Sequence, residues 1–229
     1  MARALTRSAG GRGLLIPVDR HEGNPGSRLP RPPSPADDRT AARDTHDVHN
    51  ETEIPDRTPR LTLRRMATAD VEALWPMLSD ARMWTHHPES RHAVIAQTHG
   101  YVERSADRWS RDGLSYWAVE LTESGEVIGS GGVQVHPHGH WNLNYRIAVP
   151  HQGQGYASEL ATAALTAAHL VGPERPCIAW IDEGNTPSRV VATRAGLTDM
   201  GLREGSADDV ARLAYSDRPL MEQTYPRVL

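Results

Sequence analysis

The stretch that most constrains this 229-residue chain is the change of period around Pro150. Before it, Trp141–Val149 reads as a strand. After it, Gly153-Gln154-Gly155-Tyr156 opens a helix that keeps Ala157, Leu160, Ala161, Ala164, Leu165 and Ala168 on one face. Gly172 and Pro173 end that helix. Pro176-Cys177-Ile178-Ala179-Trp180-Ile181 follows as a short apolar run, the pattern of a strand buried on both faces. Strand, helix and strand in this order make a parallel crossover, and the rest of the domain has to supply the sheet around it.

The flanking elements do so in a different style. Arg60–Met66 alternates like a strand, and Thr68 can cap a helix with Val71, Leu74, Trp75 and Leu78 on one face and Pro76 inside it. Pro88 and Ser90 open a second helix that carries Val94, Ile95, Tyr101, Val102 and Trp109 and ends near Gly113. Tyr116–Leu121 and Val127–His136 read as strands joined by the turn Glu123-Ser124-Gly125-Glu126. Gly129, Gly131 and Gly132 within the second strand signal a bulge or a close backbone approach. His136-Pro137-His138-Gly139-His140 reads as a solvent-exposed turn. Asn185-Thr186-Pro187-Ser188 caps a last helix with Pro in its first turn, Gly196 ends it, and weaker strands follow near Thr198–Arg203 and Ala211–Tyr215. The order β-α-α-β-β-β-α-β-α-β-β predicts an α+β fold with a mixed, mostly antiparallel central sheet.

Composition splits the chain at residue 59. Residues 1–59 hold 8 of the 17 prolines, none of the Trp or Tyr residues, and nine Arg against nine acids. With so little to bury, this Pro/Arg-rich segment is expected to be a disordered tail, or an over-long start. Residues 60–229 hold all the aromatics and the whole net charge of -4, and are expected to form one globular domain. All 25 cations are Arg. A mild negative charge excludes a general nucleic-acid binder, no apolar run is long enough for a membrane span, and the single Cys177 fits a reducing, cytoplasmic setting.

Chemistry concentrates at Gln152-Gly153-Gln154-Gly155-Tyr156-Ala157. Small residues let a ligand approach the backbone, and free N–H groups at a helix start attract phosphate. These residues alone specify only a phosphate-bearing ligand, or an ordinary glycine turn. The Gly-Lys-Ser/Thr of a P-loop is missing and the chain has no Lys to supply it. A dinucleotide fingerprint is imitated by Gly153, Gly155 and Ser158, with Asp182 ending the next strand. Its third glycine is absent, and Asp182 lies 27 residues beyond Gly155 where about 20 is usual.

Taken with Glu159, Asn185, Ser188 and Gly196-Leu197, the turn resembles that of the GNAT superfamily of acyl-CoA N-acyltransferases. Asn142-Leu143-Asn144-Tyr145-Arg146 stands where the RimJ/RimL-like branch usually has Glu-Leu-Gly-Tyr-x. The resemblance covers roughly residues 60–220. It implies a sheet splayed between the fourth and fifth strands and acetyl-CoA as co-substrate. The pyrophosphate would rest on the N–H groups of Gln152, Gly153, Gln154, Gly155, Tyr156 and Ala157. The pantetheine arm would pair with Ile147, Ala148 and Val149, and Asn185 and Ser188 would complete the cofactor site. The acetyl group would pass directly to a primary amine of a peptide N-terminus or small metabolite, with no metal and no covalent intermediate. A monomer or homodimer is expected.

The chain departs from that pattern where proton transfer is concerned. The usual glutamate base is replaced by Asn142, which cannot take a proton. The Tyr that protonates the departing thiolate is replaced by Ala192, which leaves Ser188 as the nearer hydroxyl. Glu120 is a substitute base if its strand faces the acceptor. Trp84, His87 and Tyr145 are the candidate acceptor contacts. His136, His138 and His140 are read as a turn and not as a metal site. The departures keep open a non-catalytic acyl-CoA-binding module, and the glycine pattern keeps open a nucleotide-cofactor oxidoreductase.

Overall fold

In the computed structural model, which describes residues 53–204 and 210–228, seven strands share one sheet. They are β1 (Leu61–Arg65), β2 (Tyr116–Leu121), β3 (Val127–Val135), β4 (Trp141–Ile147), β5 (Cys177–Ile181), β6 (Thr198–Arg203) and β7 (Arg212–Ser216). Their order is β1-β2-β3-β4-β5-β7-β6. Every neighbouring pair is antiparallel except β4 and β5. The four α-helices are α1 (Val71–Leu78), α2 (Ile95–Asp112), α3 (Tyr156–Val171) and α4 (Thr186–Arg194). This is the mixed α+β fold expected, with the splay between the fourth and fifth strands. Among the described residues no helix is long and apolar enough to cross a membrane.

Strand alternation sorts the core into two layers. In β2, Trp117 and Val119 join the cluster that holds Leu160, Ala161 and Ala164 of α3. Tyr116 and Ala118 join the other, with Val71, Leu74 and Leu78 of α1 and Val102 of α2. The alanines of α3 let it sit close to the sheet. Gly131 shows how close: a Cβ there would meet the Asn144 carbonyl and lie 2.8 Å from the Leu160 side chain. The glycines of β3 thus mark a close approach, while the bulge lies between Val119 and Glu120, where β3 carries one extra residue.

Local departures from the sequence reading have local causes. Helix α2 starts at Ile95 and not at Pro88, because the Gln97 side chain accepts from the N–H groups of Ala93 (2.6 Å) and Val94 (3.2 Å) and fixes the start there. Pro88–Ser90 is a separate 3-10 turn. The tail expected over residues 1–59 lies outside the described residues as far as residue 52. Residues 53–59 fold back on the domain: the Leu63 N–H donates to Asp56 (2.7 Å), and the Thr58 hydroxyl donates to Glu159 in α3 (2.5 Å). The composition boundary therefore falls inside an ordered turn.

The histidine turn needs correction. His136 and His140 are buried, and only His138 is exposed. Trp180 Nε1–H donates to His140 Nε2 (3.1 Å), so His140 carries its proton on Nδ1, facing the Tyr225 hydroxyl at 2.9 Å. His136 stacks on His140 with ring centroids 4.2 Å apart, and its Nε2 is buried without a partner. Burial, helped by the neighbouring His136 and His138, pushes His140 down to about 3; burial, helped by His138 and Arg108, pushes His136 down to about 4. Unfolding lets both rings take protons near their ordinary pKa of ~6.5. Acid therefore favours the unfolded chain: the contribution to stability is complete above about pH 6.5 and is lost progressively as the pH falls towards the folded values of about 4 and about 3. Urea midpoints measured between pH 7 and 4.5 check this. A flat profile excludes it, and His140→Gln is expected to shallow the slope.

Candidate active site

The site begins where β4 and β5 part. They pair only at Trp141 with Cys177 and Asn142 with Ile178. The Ala148 N–H donates to the Ile128 carbonyl (2.8 Å) across β3, while the Trp141 N–H donates to Pro176 (2.9 Å) on the β5 side. Antiparallel ladders alternate the direction of backbone groups. Tyr145 and Ile147 therefore aim their N–H and C=O groups into the split. The Ile147 carbonyl is taken by the Gln152 side chain, whose Nε2 donates at 2.9 Å. Of the three residues expected to meet a pantetheine arm, Ile147 faces the split with an N–H that meets no acceptor among the described residues, and the Ala148 N–H is engaged elsewhere.

At the end of the split the chain turns into α3. Gly153 and Gly155 take φ values of +78° and +87°, a left-handed conformation suited to glycine. Gly155 is the residue that caps α3. Among the described residues, the N–H groups of Gly153, Gln154, Gly155, Tyr156 and Ala157 meet no acceptor, whereas the Gln152 N–H is bonded to Val149 (3.3 Å). Arg60 holds the turn from outside. Its guanidinium donates to the Gln154 carbonyl (2.9 Å), pairs with Glu159 (2.7 Å) and lies 4.4 Å from the centre of the Tyr156 ring. Five N–H groups without an acceptor at a helix start are the donor set an anion such as a pyrophosphate needs.

Split and turn open into one cleft of about 970 Å³, lined by Asn142, Tyr145, Ile147, Gln152, Gly153, Gly155, Tyr156, Ala157, Asn185 and Ser188 among others. Asn185 Oδ1 caps α4 by accepting from the Ser188 N–H (3.1 Å), which leaves its amide as a donor. The Ser188 hydroxyl and carbonyl both lie 3.0 Å from the Tyr145 hydroxyl. Burial pushes the Tyr145 phenol up to about 12, so it stays protonated. Ala192, one turn further along α4, is fully buried and brings no hydroxyl to the cleft.

The even-numbered residues of β4 point to the opposite face, under α1 and α2. There a second cavity of about 740 Å³ is lined by Trp84, His92, Tyr101, Arg104, Asn144 and Arg146 among others. Trp84, Ser90, Asn144 and Arg146 line both cavities, so the two are neighbours that share these side chains. Trp84 is buried, donates Nε1–H to the Leu78 carbonyl (2.8 Å) and lies under the Arg146 guanidinium at 4.6 Å. His87 lines the larger cleft.

A family model for the acetyltransferase (GNAT) domain matches residues 60–198. The chain belongs to the GNAT acetyltransferase family. It is similar to an uncharacterized protein, YkkB, of Bacillus subtilis strain 168, at 29% identity over 144 residues, which cover 61% of this chain and 83% of that protein. Among solved structures it is similar to an acetyltransferase from Agrobacterium tumefaciens strain C58. The TM-score is 0.61 and the identity 28%, covering 71% of this chain and 93% of the other. It shares its fold with RimL, a ribosomal L7/L12 α-N-protein acetyltransferase in complex with coenzyme A (TM-score 0.57, 20% identity, 71% and 96% covered). Acetyl-CoA is the co-substrate.

Within this GNAT acetyltransferase one candidate is displaced. Glu120 lies outside both cavities, and its carboxylate accepts from the Arg64 guanidinium, which also pairs with Asp70 (2.7 Å). It serves the join of β1, β2 and the turn before α1. Cys177 is buried, and burial pushes its thiol well up. Arg60 was not legible as a site residue, because its partners Gln154 and Glu159 lie 94 and 99 residues away; Arg146 closes the stretch that begins at Asn142, but its place over Trp84 depends on a residue far back in the chain. Among the described residues no group of three His, Cys, Asp or Glu is placed to hold a metal.

Proposed function

We propose that the protein is an N-acetyltransferase of the RimJ/RimL-like branch. It moves an acetyl group from acetyl-CoA directly to a primary amine of a peptide N-terminus or small metabolite. The observation that carries this reading is the row of five unpartnered N–H groups from Gly153 to Ala157 at the end of a split strand. Bound acetyl-CoA supplies an activated thioester. The chain's own groups do the rest. The cradle from Gly153 to Ala157 holds phosphate oxygens. The Ile147 N–H and the Asn185 amide orient the arm, and an N–H of the split strand can donate to an oxygen that gains charge. The cavity on the α1–α2 face admits the amine from the other side of β4, which suits direct transfer. As the N–C bond forms the C–S bond breaks, the amine loses a proton and the thiolate gains one. Ser188, held by Tyr145, is the hydroxyl placed to return it. Asn142 lines the cleft as a hydrogen-bonding group and takes no proton. The same reading places the enzyme in the cytoplasm, as a monomer or homodimer.

The test is calorimetry with acetyl-CoA, with NAD(P) as control, followed by thiol-release assays over primary amines and peptides. Binding with turnover supports the reading. Binding with no acceptor in a broad screen makes the protein an acyl-CoA-binding module, as Asn142 and Ala192 would allow. A folded sample that does not bind acetyl-CoA removes both.

A further inference from the structure

We propose that the acceptor carries an anionic group, a carboxylate or a phosphate, and that Arg146 receives it in the cavity on the α1–α2 face of β4. The proposal rests on the acetyltransferase reading above and names the acceptor class. Arg146 is only partly exposed, on the strand that carries the oriented Ile147 N–H. Its guanidinium stacks over Trp84 and donates to Asn144 Oδ1 at 3.1 Å. Arg104 of α2 lines the same cavity. Among the described residues no carboxylate lies within ion-pair distance of either guanidinium.

Many of the described arginines, Arg60, Arg64, Arg203 and Arg218 among them, pair with acids. Of those that do not, Arg104 is exposed, and only Arg108 and Arg146 are partly shielded from solvent. The acid that does line the cavity, Glu89, is mostly exposed and paired with His87 at 3.1 Å. Both guanidiniums bear on the cavity: after burial, they are what lowers the His92 pKa. A guanidinium partly shielded from water, as Arg146 is, gains when a ligand supplies its counter-ion. Its planar fork matches a carboxylate or phosphate, and the Trp84 ring fixes its plane. Because Arg146 lines both cavities, an anion bound to it stands beside the split where the amine must arrive. A small amine with an acidic group a few bonds away fits this arrangement. A neutral amine would leave the cation unmatched.

The experiment is a matched-pair assay on the full chain with acetyl-CoA. Free amino acids are compared with their own amides, and phosphoethanolamine with ethanolamine, by thiol release. The anionic member is expected to have a KM at least tenfold lower, and Arg146→Gln is expected to erase that preference while calorimetric affinity for acetyl-CoA holds within a few-fold. Preference for the amino acids assigns a carboxylate, and preference for phosphoethanolamine a phosphate. Equal use of both members overturns the proposal and leaves the acetyltransferase reading standing. If acetyl-CoA binds but no member is acetylated, binding of succinate and inorganic phosphate is titrated by intrinsic tryptophan fluorescence. Quenching lost in Arg146→Gln supports the site. Identical curves for the wild type and the variant overturn it.

Discussion

Gly155→Val lowers acetyl-CoA affinity by between about tenfold and a hundredfold. Gly155 holds φ at +87° as the residue before α3. A non-glycine residue in the left-handed region costs roughly 1–2 kcal/mol, and a β-branched one is a marked outlier. Each 1.4 kcal/mol is tenfold in binding. Little else opposes the substitution: the nearest atom to an added Cβ is Arg60 Nη2, at an ordinary 3.4 Å. The loss is therefore conformational. The variant either keeps the turn and weakens the fold, or relaxes the turn and scatters the five N–H donors from Gly153 to Ala157. Only the second outcome moves affinity, and it is the one expected, because the turn is exposed and held from outside mainly by Arg60. Gly139→Val is the control. Gly139 has φ +86° and open space around its Cβ, but it lies in the turn before β4, at the other end of that strand from the cradle. It is expected to lower the melting temperature and leave affinity unchanged. Calorimetry and thermal unfolding of the two variants decide the matter: unchanged affinity in Gly155→Val together with an unchanged melting temperature refutes the cradle.

What was legible in the sequence is what short-range pattern encodes. The change of period at Pro150 located the parallel crossover, because a buried strand and an alanine-faced helix carry different periodicities within about thirty residues. The span of β2 (Tyr116–Leu121) follows from its apolar run, and that of β6 (Thr198–Arg203) from the segment after Gly196. The Asn185 cap followed from its position before Pro187. What was hidden depends on partners far apart in the chain. Whether Glu120 faces an acceptor or an arginine is decided by the pairing of β1 with β2, which sets Arg64 opposite Ala118, two residue pairs along from Glu120 opposite Thr62 and so on the same face of the sheet. The burial of His140 depends on Trp180 and on Tyr225, 85 residues away. The Arg60 clamp spans 94 residues to Gln154. Arg146 was visible as a strand residue, and its lack of a counter-ion emerges only when every acid around it has been placed.

The rate of acetyl transfer should follow the acceptor's own ionisation rather than a fixed group on the enzyme. Only the neutral amine attacks, and Asn142 cannot remove its proton. The nearby carboxylates are engaged: Asp182 accepts from Arg212 at 2.9 Å, and Glu120 is held by Arg64 outside the cleft. For an α-amine of pKa ~7.7–8, kcat/KM is then expected to rise tenfold per pH unit up to about pH 7.5 and then level off. With acceptors of different amine pKa, the plateau should move with the acceptor. His92 provides the sharpest alternative. It lines the acceptor cavity, its Nδ1 lies 2.9 Å from Thr98 Oγ1, and burial holds its pKa below the usual value, so it is neutral at pH 7. A single inflection below about pH 6.5, fixed across acceptors, would transfer the base role to His92. Asn142→Glu tests the same point from the other direction. A carboxylate at this cleft-lining position, the last β4 residue still paired with β5, should let proton removal accompany attack, and general-base catalysis is worth about 10²–10⁴-fold. The gain is expected to be largest near pH 6, where the unassisted amine is almost fully charged, and to shrink above pH 8. A variant that binds acetyl-CoA normally and shows no gain at pH 6 would mean that the amine does not approach β4 at Asn142.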